Sequence, residues 1–149
     1  MVVKELGHIV LYVRDVERSR RFYRDVLGWK ELDVAAGMPI AIFSSGRTHH
    51  ELLLIEVGPG AAPIPHEPRV GMYHFGLKVG ESDDELREVL RKLEDEKVPV
   101  VGATDHGVTH SLYIRDPDGN EIELYIDVQP AVWKEHPEAI VARPKALRL

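Results

Sequence analysis

A repeat constrains this chain more than any other feature. "GHIVLYV" (7–13) returns as "YHFGLKV" (73–79), each an apolar strand-like run with a histidine at its second position. A helical pattern follows both. In "DVERSRRFYRDVLGW", Val16, Phe22, Tyr23, Val26 and Leu27 recur at near-helical spacing, with Asp15 placed to cap the start and Gly28 to end it. In "SDDELREVLRKLEDE", Ser82 with Glu85 three residues on forms a capping box. Strand candidates then come in threes: Lys30 to Val34, Ile40 to Ser44 and His50 to Val57 in the first half, and Val98 to Val101, Thr109 to Arg115 and Glu121 to Asp127 in the second. The order β-α-β-β-β thus occurs twice, at about 5–57 and 71–127. The Pro- and Gly-rich stretch 58–70 links the copies, and a tail follows at 128–149. The expected class is α+β: one domain of 149 residues in which two tandem modules form curved, mixed, four-stranded sheets around a cleft.

The rest of the composition narrows the chemistry. A net charge of -6 argues against a nucleic-acid partner, which calls for a basic stripe. The arginines from Arg18 to Arg24 read as the solvated face of a helix. Cysteine is absent, which excludes disulfides, thiol catalysis and thiolate metal sites, so any metal must be held by histidine and carboxylate. No run approaches the roughly 18 apolar residues of a membrane span, and the start lacks the apolar core of a signal peptide, so a cytoplasmic location is expected.

His8 and His74 hold equivalent places in the opening strands, and His50 with Glu51, and Glu123, stand near the last strands of their modules. Two matched imidazoles and one carboxylate make up the facial triad of a non-haem Fe(II) site, which leaves positions open for substrate and oxygen. The hairpin "RDPDGNE" adds a conditional point. If Arg115 pairs with Glu121, Tyr113 falls opposite Glu123 on one face; a loop one residue shorter would oppose Tyr113 to Ile122 and separate the two.

The motifs "GHIVLYVRDVERSRRFYRDVLGW", "YHFGLKV" and "DPDGNEIELY" resemble the vicinal oxygen chelate superfamily, built from paired modules around a metal. The finer resemblance is to type I extradiol dioxygenases of the catechol 2,3-dioxygenase kind. It implies His8, His74 and Glu123 as metal ligands, His50 in "HHELLLIEV" as acid/base, and His106 and Tyr113 in "HGVTHSLYIRDPDGN" as further pocket residues. His49 and His110 are alternatives to His50 and His106. The implied activity is Fe(II)-dependent cleavage of a catechol-like aromatic ring with O2, and a homodimer is implied as well. Mn(II), Ni(II) or Zn(II) are alternative metals. Two other functions share the motifs: a metal-dependent glyoxalase-type lyase, with His50 or Glu51 as a fourth ligand, and a metal-free protein that binds a small molecule such as an antibiotic. The tail, with Trp133, Ile140 and two prolines, is expected to dock on the domain or on a partner subunit.

Overall fold

A computed structural model describes residues 2–65 and 67–149; residue 66, inside the expected linker, lies outside the described residues. The chain separates into two compact units, Met1–Ile64 and Pro65–Leu149. The expected α+β class holds, with one mixed sheet in each unit.

The first unit contains β1 (Ile9–Val13), α1 (Val16–Arg21), β2 (Ile40–Phe43) and β3 (Leu52–Glu56). The Asp15 carboxylate accepts from the Arg18 backbone N–H at 2.8 Å, which caps α1 as its side-chain chemistry predicts. The helix then widens into a π-helical turn (Phe22–Val26), where Leu27 N–H donates to the Phe22 carbonyl at 3.0 Å, and the adjacent Phe22 and Tyr23 are both buried. Gly28 takes φ 73°, a left-handed conformation open to glycine, and ends the segment. In the sheet, β3 lies between β1, which is parallel to it, and β2, which is antiparallel. Strand alternation buries Leu11, Val13, Ala41, Phe43, Leu52 and Leu54 on one face and leaves Val10 and Tyr12 exposed on the other. Full burial of each of the Leu, Val and Phe side chains is worth about 1.5–3 kcal/mol. The arginine helix is not wholly solvated: Arg20 donates to Glu31 at 2.6 Å and to the Ile40 carbonyl at 3.0 Å.

The second unit contains β4 (His74–Gly80), α2 (Asp83–Asp95), β5 (Gly102–Asp105), β6 (Thr109–Arg115), β7 (Glu121–Asp127), α3 (Pro130–Glu135) and β8 (Lys145–Ala146). The capping box forms at α2: Ser82 Oγ accepts from Glu85 N–H, and the Glu85 carboxylate accepts from Glu81 N–H at 2.7 Å. The sheet runs β4-β7-β6-β5-β8, with β4 parallel to β7 and the remaining neighbours antiparallel. Ile122, Leu124 and Ile126 on β7 are buried together with Leu112 and Ile114 on β6 and Leu86 and Leu93 on α2. The odd-numbered residues of β7 therefore occupy the opposite face.

Three sequence expectations need correction. Lys30 to Val34 does not form a strand: Glu31 bridges Phe43, but Val34 N–H turns back to the Leu32 carbonyl at 2.9 Å, and this tight turn curls the chain off the sheet. The strand expected at Val98 to Val101 lies instead at Gly102–Asp105. Lys97 is left-handed (φ 57°), Val98 N–H closes the end of α2 on Leu93, and Pro99 has no N–H to give a ladder. Among the described residues the sheets hold three and five strands instead of four each, because the first unit loses one strand and the tail supplies β8. The tail does dock, through Thr104↔Ala146 and Asp105↔Lys145.

The repeat survives in the register. Val10, two residues after His8, pairs with Leu53; Gly76, two residues after His74, pairs with Glu123. The first-unit counterpart of Glu123 is therefore Leu53, which has no ligating atom.

Candidate metal and proton-transfer site

Arg115 pairs with Glu121, and Tyr113 with Glu123, so the longer of the two hairpin loops is the one that forms. Asp116 fixes that loop, its carboxylate accepting from Asp118 N–H at 2.9 Å, Asn120 N–H at 2.8 Å and Asn120 Nδ2 at 2.8 Å. Gly119 supplies the positive φ of 94° that the turn requires. The register places a group of polar side chains on one face of the second unit. Tyr113 donates its hydroxyl proton to Glu123 Oε1 at 3.1 Å, and His106 Nε2 lies 2.9 Å from the same hydroxyl. Since the phenolic proton is committed to the carboxylate, the His106 ring donates from Nε2 to the phenol oxygen. Burial, followed by the charge of Glu123 and its hydrogen bond, holds the Tyr113 phenol far above its ordinary value. Tyr113 thus stays protonated and acts as a donor.

On the other oxygen of the carboxylate, His74 Nε2 stands 3.3 Å from Glu123 Oε2, with the His74 and Tyr113 rings edge to face at 5.6 Å. His74 Nδ1 is buried without a hydrogen-bond partner, 3.8 Å from Glu121 Oε1. Gly76 keeps this face open: a Cβ there would lie 3.2 Å from the Tyr125 ring and 3.7 Å from Glu123 Oε2.

Ser111 was not singled out from the sequence, yet it is fully buried and donates to Glu123 Oε1 at 2.6 Å. Its signal was its place two residues before Tyr113 on the same strand, hence on the same face, and that signal becomes readable only once the register to Glu123 is known. Oε1 thus has two donors, while Oε2 faces His74. His110 has the opposite parity and points away from this group. Its Nδ1 lies 2.6 Å from Asp83 Oδ1 and its Nε2 3.7 Å from Asp105 Oδ1, so it ties the first turn of α2 to β6 and stands apart from the Tyr113–Glu123 group.

In the first unit, His8 leads into β1, and its ring lies 4.4 Å from that of His50 and 5.9 Å from that of His49. His49 Nδ1 and His50 Nδ1 are 2.6 Å apart. Nε2 of His50 is buried with no partner. Burial, then the neighbouring His49 and His8, lower the basicity of His50 below the ordinary histidine value. Glu51 turns away from the rings to Ser45, whose N–H and Oγ donate at 2.5 and 2.6 Å, and to Arg47 at 3.3 Å.

Within neither unit, among the described residues, do three or more His, Asp or Glu side chains gather as a metal-holding set. The second unit nevertheless fits part of one. Cis donors on one metal at about 2.1 Å stand about 3 Å apart, close to the separation of His74 Nε2 and Glu123 Oε2. A ligating imidazole commonly directs its second nitrogen at a carboxylate, the relation in which His74 Nδ1 stands to Glu121.

Residues 5–124 match the family model described as the Glyoxalase/Bleomycin resistance protein/Dioxygenase superfamily. Among curated proteins, the chain is 32% identical over 133 residues to a catechol-2,3-dioxygenase of Bacillus subtilis, covering 89% of this chain and 45% of that protein. It is 34% identical over 130 residues to biphenyl-2,3-diol 1,2-dioxygenase 3 of Rhodococcus globerulus, covering 85% of this chain and 65% of that protein. The chain therefore spans about half to two-thirds of these relatives. Among solved structures, a lactoylglutathione lyase from Agrobacterium tumefaciens aligns with a TM-score of 0.61 and 29% identity, covering 83% of this chain and 94% of that one. With its repeated strand order and a family match that extends over most of its length, the chain belongs to the glyoxalase/bleomycin resistance protein/dioxygenase superfamily.

Proposed function

We propose that this protein is an Fe(II)-dependent extradiol dioxygenase that opens a catechol-like aromatic ring with O2, and that it works as a homodimer. One observation carries the reading: the hydrogen-bonded run from His106 through Tyr113 to Glu123, with His74 on the second carboxylate oxygen. His74 and Glu123 would hold the metal, with His8 assigned as the third ligand by repeat symmetry. When bound, the metal would supply Lewis acidity and one-electron chemistry. On substrate binding Tyr113, kept protonated, would turn its one hydroxyl proton from Glu123 to a substrate oxygen, and His106 would fix the orientation of that phenol. His50 would take the proton of a substrate hydroxyl at its unpartnered Nε2. Ser111, which donates to Glu123 Oε1 at 2.6 Å, would hold that carboxylate in place.

A glyoxalase-type lyase is the second reading, favoured by the near-complete coverage of a lyase structure against the partial coverage of the dioxygenases. It calls for His50 or Glu51 as a fourth ligand; Glu51 is engaged by Ser45 and Arg47 and the position that matches Glu123 is Leu53, which leaves His50, whose Nε2 has no partner. Both facts narrow the fourth ligand of that reading to His50, the group that the dioxygenase reading keeps for proton transfer. The deciding experiment is anaerobic loading with Fe(II), then a panel of catechols with O2. Yellow ring-fission products with matching oxygen uptake, lost in Glu123→Ala, are expected. No catechol consumption, with methylglyoxal and glutathione turnover supported by Ni(II), would replace this reading with the lyase.

A further inference from the structure

His49 has no role in the proposed chemistry, yet its ring makes the one hydrogen bond that the His50 ring has within the first unit among the described residues. His49 Nδ1 and His50 Nδ1 lie 2.6 Å apart. Between two neutral imidazoles such a contact needs one proton, so one Nδ1 donates and the other accepts. The two arrangements differ at the remaining nitrogens. If His49 donated, His50 would carry its proton on Nε2, a buried N–H with no acceptor. If His50 donates, its Nε2 is a bare lone pair. A buried orphan N–H is the rarer and costlier case, and stranding such a group forfeits its hydration with nothing in return. For His49 the choice costs nothing, because its ring is exposed and water serves Nε2 in either state. No carboxylate offers an alternative partner, since Glu51 is taken up by Ser45 and Arg47.

We infer that His49 is a positioning residue that holds His50 as its Nδ1–H tautomer and so leaves His50 Nε2 as a ready proton acceptor. The inference rests on the reading of His50 as the proton-transfer group, and it deepens that reading by making His50 a base at rest. In the step it serves, the substrate O–H bond breaks, its electron pair stays on oxygen, and an Nε2–H bond forms on His50. The positive charge that results is shared through Nδ1–H with the solvent-facing His49 ring.

The test uses the full, metal-free, 15N-labelled chain at about pH 8, where imidazoles are neutral. Long-range proton-nitrogen correlation spectra report which ring nitrogen carries the proton. Wild type is expected to show His50 protonated at Nδ1 alone; His49→Phe, which cannot accept, loses that preference, and His49→Asn, whose amide oxygen can accept, restores it. A wild-type His50 protonated at Nε2, or a His49→Phe protein with the wild-type tautomer, overturns the inference. Because the wild-type spectrum decides by itself, a misfolded variant does not protect the idea. In the Fe(II)-loaded enzyme, His49→Phe should lower kcat at least about tenfold with KM little changed, tautomer errors at a catalytic histidine reaching about 10⁴-fold. The expected spectra without ring cleavage in any variant would uphold the tautomer and overturn the dioxygenase reading instead.

Discussion

Replacing Ser111 by Ala removes one of two donors to Glu123 Oε1, and the structure sets the size of the effect. A hydrogen bond to a charged acceptor is worth about 1.5–3 kcal/mol. The Ser111 bond is short, at 2.6 Å, and the serine is fully buried, but 17% of the Glu123 side chain remains exposed, so water replaces part of the loss. The expected destabilisation is about 1–2 kcal/mol. Tyr113→Phe removes the second donor, which is longer at 3.1 Å, and should cost about 1 kcal/mol alone. The double variant is the informative one. With Ser111 gone, Tyr113 is the last protein donor to Oε1, so the double loss should exceed the sum of the single losses by about 0.5–1 kcal/mol. The assay is amide hydrogen exchange on the β6–β7 ladder of the metal-free protein, which reads the second unit by itself. Additivity within about 0.3 kcal/mol would refute the claim that both hydroxyls serve one oxygen.

Asp116→Ala deletes the acceptor of three hydrogen bonds from the β6–β7 loop and should cost about 2 kcal/mol or more in the same exchange measurement. Gly119→Ala meets no atom within 4 Å but must hold φ 94°, so it should lower the thermal midpoint through about 1 kcal/mol of backbone strain, while Gly60→Ala, with open space and no positive φ, should not. Acid should weaken the first unit through His50. Its folded-state value is depressed, so the unfolded chain binds its proton first: the stabilisation is whole above about pH 6.5 and falls away as pH drops through the lower folded value. A urea midpoint that falls less for His50→Phe than for wild type between pH 7.5 and 5.5 is the expected sign.

Which parts of this molecule could be read in advance follows from the range of the interactions. Asp15, Ser82 and Gly28 act within a few residues, and each does what its local chemistry predicts. The register of β6 on β7 depends only on the five residues from Asp116 to Asn120, so the meeting of Tyr113 and Glu123 follows from the length of one local loop. Ser111 was not found, because a lone serine in a strand signals nothing until its partner across the sheet is known. The apolar pattern at Lys30 and Val98 points to strands because it does not record where a chain leaves its ladder; the turn at Val34 and the missing N–H of Pro99 decide that. The separation of His106 from His110 depended on strand parity, which was available in the sequence only once β6 had fixed bounds.

The two residues of β8 have a use out of proportion to their length. A strand at the margin of a sheet offers bare amides and carbonyls to any passing chain, and proteins guard such margins to stay in solution. By lying along Thr104 and Asp105, Lys145 and Ala146 close off β5 at the end of the strand nearest His106, with a lysine as the guard's first residue. Lys145 and Ala146 thereby take up backbone groups of Thr104 and Asp105 that a passing chain would otherwise meet, a covering role quite separate from any chemistry of the histidines.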